Sequence, residues 1–295
     1  MEQTMPPISG IRPGLIMRVF APTHNLVTEN VAGVVSSVER ALEMKLDGYA
    51  VYPRIDVLVL SDRRYVDCDC GETAARLRRD LRSVHEVRIT EVEDGDPFCG
   101  ALNYGLALQI TGGVTHSTIL SPGVRSYFTL PNVRAMFQAF GEGAYVAGMI
   151  LKEFRESISA GRPLATLKTW DNFQLMRSGL YSILASQPMK NEDKETSWRW
   201  TPKDDRWVYT FAGVEEMHPL IWMAERTERP FIAPILPVEE TLEWQVAQTI
   251  EVQAREANKR NTKVERQRRV AKSLSTSLAL LEQRVMPKYR VTSIP

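Results

Sequence analysis

Two adjacent acids, Glu215 and Glu216, followed two residues on by His218, are one place in this 295-residue chain where a side chain could take a proton. A carboxylate acts as a general base where its pKa and placement match the hydroxyl it serves; a solvated helix face is the other reading of paired acids. Residues suited to lining a ligand gather in four further places. These are Pro22-Thr23-His24-Asn25, Ser61-Asp62-Arg63-Arg64, the stretch Gly100–Gly105 (GALNYG) with Asn103 inside it, and Ser121-Pro122-Gly123 with Arg125 just beyond. The glycine stretch lacks a following Gly-Lys-Ser/Thr, so it is not a P-loop; close packing of a helix on a sheet also explains its glycines. Asp67-Cys68-Asp69 is a literal Asp-x-Asp, a triplet that surface loops also produce by chance. Cys68-x-Cys70 with His85 or Cys99 lacks the paired spacing of a zinc site, so free thiols are expected there. Trp198, Trp200 and Trp207 suit either a sugar-stacking platform or an anchored lid.

The elements that would position these groups follow from periodicity. Residues 1–14 carry three prolines and two glycines and read as a flexible lead-in. Leu15–Ala21 is a short apolar strand, and Thr28 is placed to cap a helix through about Leu46, where Val31, Val34, Val35, Val38, Ala41 and Leu42 recur at helical spacing. Ile55–Leu60 is a second strand, Glu72–Ser83 a basic-faced helix and Glu86–Val92 a third strand. Helix Phe98–Ile110, strand Thr115–Leu120, helix Pro131–Phe140 and strand Tyr145–Leu151 continue the alternation. Strand–helix alternation of this kind predicts an α/β fold with a mostly parallel sheet wrapped by helices. Ser186–Trp207 reads as a polar, Trp-rich excursion, Val214–Arg226 as a helix, and prolines at 230, 234 and 237 as a seam. The expected organisation is a lead-in (1–14), a ligand-binding body (15–238) and a C-terminal helical extension (239–295).

Composition restricts the class of protein. With 37 Lys+Arg against 36 Asp+Glu, 43% hydrophobic and 25% charged residues, the chain is neither disordered nor fibrous. A net charge of +1 gives no global attraction to nucleic acid, and none is expected as a partner. Eight basic and three acidic residues lie between Glu251 and Lys272, a local excess read as a solvated helix face. Leu274, Leu278, Leu281 and Val285 recur at helical spacing and suit docking on the body or on a second copy. Three cysteines are too few for a secreted disulfide framework, so a reducing cytoplasm is the expected compartment. The first residues carry no signal-peptide pattern. From Pro97 to Val124 there are 28 residues without Asp, Glu, Lys or Arg, but Asn103, Gln109, His116, Pro122 and five glycines make a bilayer span untenable.

In order and spacing, residues 15 to 226 resemble the nucleotide-diphospho-sugar transferases of GT-A fold, in particular family-2-type glycosyltransferases. Pro22, Thr23 and Asn25 match the end of that family's first strand, and Asp62 its base-contacting aspartate. Gly100, Ala101, Asn103 and Gly105 match its Gly-x-x-x-Ala-x-Asn-x-Gly-like helix opening. Asn172–Leu180 is similar to its acceptor-side segment, and Phe211–Arg226 to the helix whose acid is the base in inverting members. The resemblance implies a GT-A, Rossmann-like sheet that binds a nucleotide-sugar donor through Pro22, Thr23, Asn25, Asp62, Gly100, Asn103, Ser121 and Arg125. Glu216 or Glu215 would then deprotonate an acceptor of unknown identity. The family also implies Mg²⁺ or Mn²⁺ on an Asp-x-Asp, and here that position reads Ser121-Pro122-Gly123, which offers no carboxylate. Either Arg125 supplies the electrostatic work in a metal-independent enzyme, or the chain is an inactive member of the fold that binds a nucleotide sugar or a partner. Nucleotidyl transfer lacks a Gly-rich, Arg/Lys-bearing loop after the first strand and ranks behind both.

Overall fold

The computed structural model describes residues 11–19, 24–61, 70–93, 99–120, 122–149, 173–177, 198–201, 206–209, 220, 223–238 and 275–290. The apolar run near residue 15 forms β1 (Pro13–Val19), and α1 (His24–Glu43) follows it. β4 (Ile55–Ser61), α2 (Cys70–Asp80), β5 (Val87–Glu93), α3 (Cys99–Thr111) and β6 (His116–Leu120) continue the alternation. A 3-10 turn (Pro122–Tyr127), α4 (Leu130–Gly141) and β7 (Val146–Met149) come next. β8 (Phe173–Arg177) and β11 (Ile232–Ile235) complete a seven-stranded sheet of order β11-β7-β8-β6-β1-β4-β5. All pairings are parallel except those of β8, which runs antiparallel to both β6 and β7. The expected mostly parallel α/β fold is the one observed.

Both faces of the sheet are covered, which accounts for strands that read as apolar runs rather than alternations. Leu15, Met17 and Val19 of β1 join Val27, Val34, Val38, Ala74, Leu77, Val133 and Phe137 in the larger core, on the face of α1, α2 and α4. Ile16 turns the other way and packs with Leu58, Leu60, Ala101 and Leu106 beneath α3. Gly105 permits this contact, because a Cβ there would come within 2.7 Å of Leu58 Cδ1 and 3.3 Å of Ile16 Cγ2. Buried Tyr52 hydrogen-bonds Thr118 at 2.9 Å, so its hydroxyl is satisfied inside the larger core, and burial raises its pKa.

Three expectations at the element level are corrected. α1 starts at His24, so Thr28 does not cap it; the Thr28 hydroxyl instead accepts from Arg76 Nη1 at 3.0 Å and links α1 to α2. The same helix stops at Glu43, short of Leu46, because β2 (Lys45–Leu46) and β3 (Tyr49–Ala50) form a hairpin around Asp47 (φ 53°) and Gly48 (φ 86°). Two positive φ values in a two-residue turn match the right-handed twist of the strands, a conformation that Asp-Gly favours. The stretch 172–180, similar by sequence to an acceptor-side segment, contains the antiparallel strand β8. The proline seam contains β11, in which Pro234 is tolerated because β11 has a full strand on one side only, with a single bridge, Ile232 to Val285, on the other. α5 (Ser275–Gln283) lies in the expected C-terminal extension, and its Leu281 is fully buried. No described helix is long and apolar enough to cross a membrane.

Candidate functional site

Parallel pairing brings the carboxyl ends of β1, β4, β5, β6, β7 and β11 to one edge of the sheet. Chain order moves outward from β1 to β4 to β5, then returns across the opposite face through α3 to β6 on the other side of β1. Neighbouring crossovers therefore diverge between β1 and β6, and a crevice opens beyond their carboxyl ends, the usual ligand position in open α/β sheets. Val19 and Leu120 are the last residues of the two strands that flank it.

Helices α1 to α4 all begin at this edge, each with backbone N–H groups that lack an intrahelical acceptor. The first turns of α1, α3 and α4 carry no acid. α2 carries Glu72, which Arg76 Nη2 holds at 2.6 Å. The edge thus presents several positive helix ends that the helices' own carboxylates leave uncompensated, an environment that favours phosphate. Asn25 is the second residue of α1, and Gly100 and Asn103 are the second and fifth of α3. Three predicted site residues are therefore brought to the same edge from opposite faces of the sheet.

Arg125 lies in the 3-10 turn after β6 and is only 6% exposed. Its guanidinium packs on α1 where Gly33 has no side chain; a Cβ there would fall on Nη1. Burial lowers its pKa to about 10, and the Glu29 carboxylate one turn earlier on α1 opposes that shift, so the group stays cationic at neutral pH. Its carbonyl accepts from Arg40 Nη1 at 3.0 Å. A guanidinium packed on α1 is a buried positive charge, weakly screened by solvent. Contact with a ligand would require it to rotate away from Gly33.

Pro22, Thr23, Asp62, Ser121, Glu215 and Glu216 lie outside the described residues, as do Asp67-Cys68-Asp69 and His218. By sequence, Pro22 and Thr23 immediately precede α1, Asp62 follows the last residue of β4, and Ser121 follows the last residue of β6. Sequence reasoning missed two residues that fix Arg125 and the turn after β6. One is Gly33, a mid-helix glycine whose cost in helix propensity was a readable signal. The other is buried Asn132, whose Nδ2 donates to the Tyr127 carbonyl while its Oδ1 accepts from the Val238 amide, both at 2.8 Å. Asn132 fastens the turn after β6 to the segment after β11, and nothing in the local sequence marks it.

The metal implied by the family resemblance does not fit the residues after β6, because Ser121-Pro122-Gly123 supplies one hydroxyl and no carboxylate. Among the described residues no group of three or more His, Cys, Asp or Glu side chains converges to hold a cation. Cys70, which opens α2, is disulfide-bonded, and its Sγ lies against the Leu60 carbonyl. This corrects the expectation of a free thiol there; spacing along the chain does not reveal which sulfurs meet in space. The Trp-rich excursion contains an antiparallel hairpin of β9 (Trp198–Thr201) and β10 (Arg206–Tyr209). Trp200 pairs with Trp207 and Trp198 with Tyr209 in the ladder of that hairpin.

No protein-family profile matches the chain, and no curated protein sequence does. Solved structures similar to it include a cytidylyltransferase from Leptospira borgpetersenii serovar Hardjo-bovis, at 11% identity and TM-score 0.45 over 91% of this chain and 97% of that one. A CMP:2-keto-3-deoxy-manno-octonic acid synthetase complexed with CTP is similar at 9% identity and TM-score 0.43 over 86% of this chain and 99% of that one. Mouse xyloside xylosyltransferase 1, in apo form, is similar at 14% identity and TM-score 0.31 over 59% of this chain and 72% of that one. At these values the likenesses carry no inference about activity, and the fold rests on the strand order itself.

Proposed function

We propose that the chain is a glycosyltransferase that binds a nucleotide-sugar donor in the crevice between β1 and β6 and transfers the sugar without a bound divalent metal. The observation that carries this reading is the reversal of strand order at a carboxyl edge where three helices open without an acid. Pro22, Thr23, Asn25 and Asp62 would hold the nucleoside. Gly100, Asn103 and Ser121 would face the diphosphate, with the buried Arg125 charge behind them. Glu216 or Glu215 takes the proton of an acceptor hydroxyl as its oxygen bonds to the anomeric carbon and the nucleoside diphosphate leaves. Positive potential at the helix ends does the work that a metal does elsewhere, since it stabilises charge that grows on the leaving group.

One observation favours a second reading, a non-catalytic member of the fold: the turn after β6 carries Ser121-Pro122-Gly123 where the family keeps its acids. Thermal shift with UDP-, GDP- and dTDP-sugars, with and without Mn²⁺, tests both readings, and a CTP arm covers nucleotidyl transfer. Stabilisation that Mn²⁺ does not enhance, together with donor turnover that falls roughly 100-fold or more in Glu216→Ala, is the expected result. Binding with no turnover by the wild-type chain would favour the second reading. No shift with any nucleotide would overturn both.

A further inference from the structure

The sheet has two outer strands, β11 and β5, and the chain treats them differently. At β11 the end of the chain folds over the outer side. The Phe231 and Ile232 amides both donate to the Arg284 carbonyl, at 2.8 and 3.1 Å, the Met286 amide donates to the Ile232 carbonyl at 2.9 Å, and Val285 bridges Ile232 in parallel. At the opposite end β5 pairs with β4 residue for residue, from Ile55–Val87 to Ser61–Glu93, and among the described residues no strand pairs with its outer side. An open row of strand N–H and C=O groups is a template for a further strand.

One hydrogen bond fixes the direction of the polar groups along β5: the Ile55 amide donates to the Glu86 carbonyl at 2.9 Å. Successive residues of a strand turn their N–H and C=O groups to alternate sides, so Glu86, Arg88, Thr90 and Val92 face β4. Ile89 and Glu91 therefore turn both groups outward, and among the described residues nothing meets them. The side chains at this edge are also incompletely covered. Val87 and Ile89 pack on the larger core and Val92 on the smaller one, yet all three are half-buried, whereas the apolar residues of β1 and β4 are buried. Arg88 and Glu91 are exposed, and Arg78 of α2 donates to Glu91 at 2.7 Å.

We infer that two copies of this chain pair through β5, antiparallel about a twofold axis at Thr90, so that their sheets become one. Outward-turned residues must meet outward-turned residues, which leaves registers centred on Ile89, Thr90 or Glu91. A centre at Glu91 sets like charges directly opposite, and a centre at Ile89 leaves Val92 and Glu93 without partners. Only the Thr90 centre pairs the strand along its whole length. In that register Ile89 exchanges both N–H···O bonds with the partner's Glu91, and Val87, Ile89 and Val92 gain cover. The two Glu91 carboxylates come diagonal to one another, each already neutralised by its own Arg78. Such a contact is isologous and closes at two copies, since the chain's own end occupies the outer side of β11. Sedimentation equilibrium of the full chain over the micromolar range should therefore give twice the monomer mass. Thr90→Lys, at a half-buried position, sets like charges opposite at the axis and should restore the monomer with an unchanged far-UV circular dichroism spectrum. The Thr90 pair is not hydrogen-bonded, which sets its Cα atoms about 4.5 Å apart, within disulfide reach. Thr90→Cys should then cross-link as a dimer on oxidation, above the wild-type background, while Arg88→Cys, opposite the partner's Val92, should not. Should Thr90→Lys fail to fold, the cross-linking comparison decides by itself. A monomer at every concentration, a dimer that survives Thr90→Lys, or cross-linking of Arg88→Cys in place of Thr90→Cys would overturn the inference.

Discussion

Arg125 and Gly33 form a unit that neither residue type announces alone. A glycine in a helix interior costs about 1 kcal/mol relative to alanine, and here the missing side chain makes room for a buried guanidinium. Gly33→Ala brings a gain in helix propensity and a collision with Arg125 together, and overpacking of a buried site costs about 1–3 kcal/mol. In the wild-type background the change should lower stability by about 1 kcal/mol; in an Arg125→Ala background the same change should raise it by up to about 1 kcal/mol. Urea unfolding of the four variants measures this coupling, and equal effects in both backgrounds would show that the guanidinium does not rest on Gly33. Gly105 is the counterpart on the other face. Its would-be Cβ meets Leu58 and Ile16, both fully buried and branched, so Gly105→Ala should cost about 1–3 kcal/mol in the same assay.

At the element scale, the C-terminal clasp, residues 284–290 closing over the start of β11 and reaching Glu142 at the end of α4, carries a pH dependence. Glu142 is held below its ordinary pKa of 4.5, first by the Lys288 hydrogen bond and also by that of Tyr289. A depressed carboxyl contributes stability that is present above 4.5 and is lost as pH falls through the folded-state value. Tyr289 is pushed up from 10.0 to about 12, first by burial and then by its bond to Glu142, so its share is full below pH 10 and lost as pH rises through about 12. The contact between the clasp and α4 is thus expected to hold from above pH 4.5 to about 10 and to loosen on either side. Amide chemical shifts of residues 286–290, followed from pH 7 to pH 3, should move together with a midpoint below 4.5. Shifts that stay constant over that range would contradict the assignment. The hairpin at Asp47-Gly48 shows another element-level effect, a turn preference strong enough to end α1 before Leu46 despite continued apolar spacing.

On the scale of the whole molecule, the segment expected to be an extension helps complete the fold, since Val285 extends the sheet beyond β11 and Leu281 is buried. Removal of residues 281–295 would expose Phe231 and Ile232 and is expected to cost about 3–5 kcal/mol, from one buried leucine and several backbone hydrogen bonds. A lower urea midpoint with new binding of a hydrophobic dye would register the loss; an unchanged midpoint would mean that the body is complete without the clasp. The strand–helix alternation was legible because both-face burial imposes apolar runs on β1 and β4 and helical spacing on α1. Those local periodicities, with right-handed crossovers, determine a mostly parallel sheet and with it the carboxyl edge at which open α/β sheets usually hold ligands. The sequence also showed by itself that the turn after β6 has no carboxylate to hold a metal, since composition needs no coordinates. Only the tertiary structure decided that β8 enters the sheet antiparallel, that Arg125 turns its charge onto α1, and that Asn132 fastens Val238. It also decided that the end of the chain folds back on β11. Each of these is a meeting of residues distant in sequence, and a partner supplied by another element leaves no periodicity in the segment that receives it.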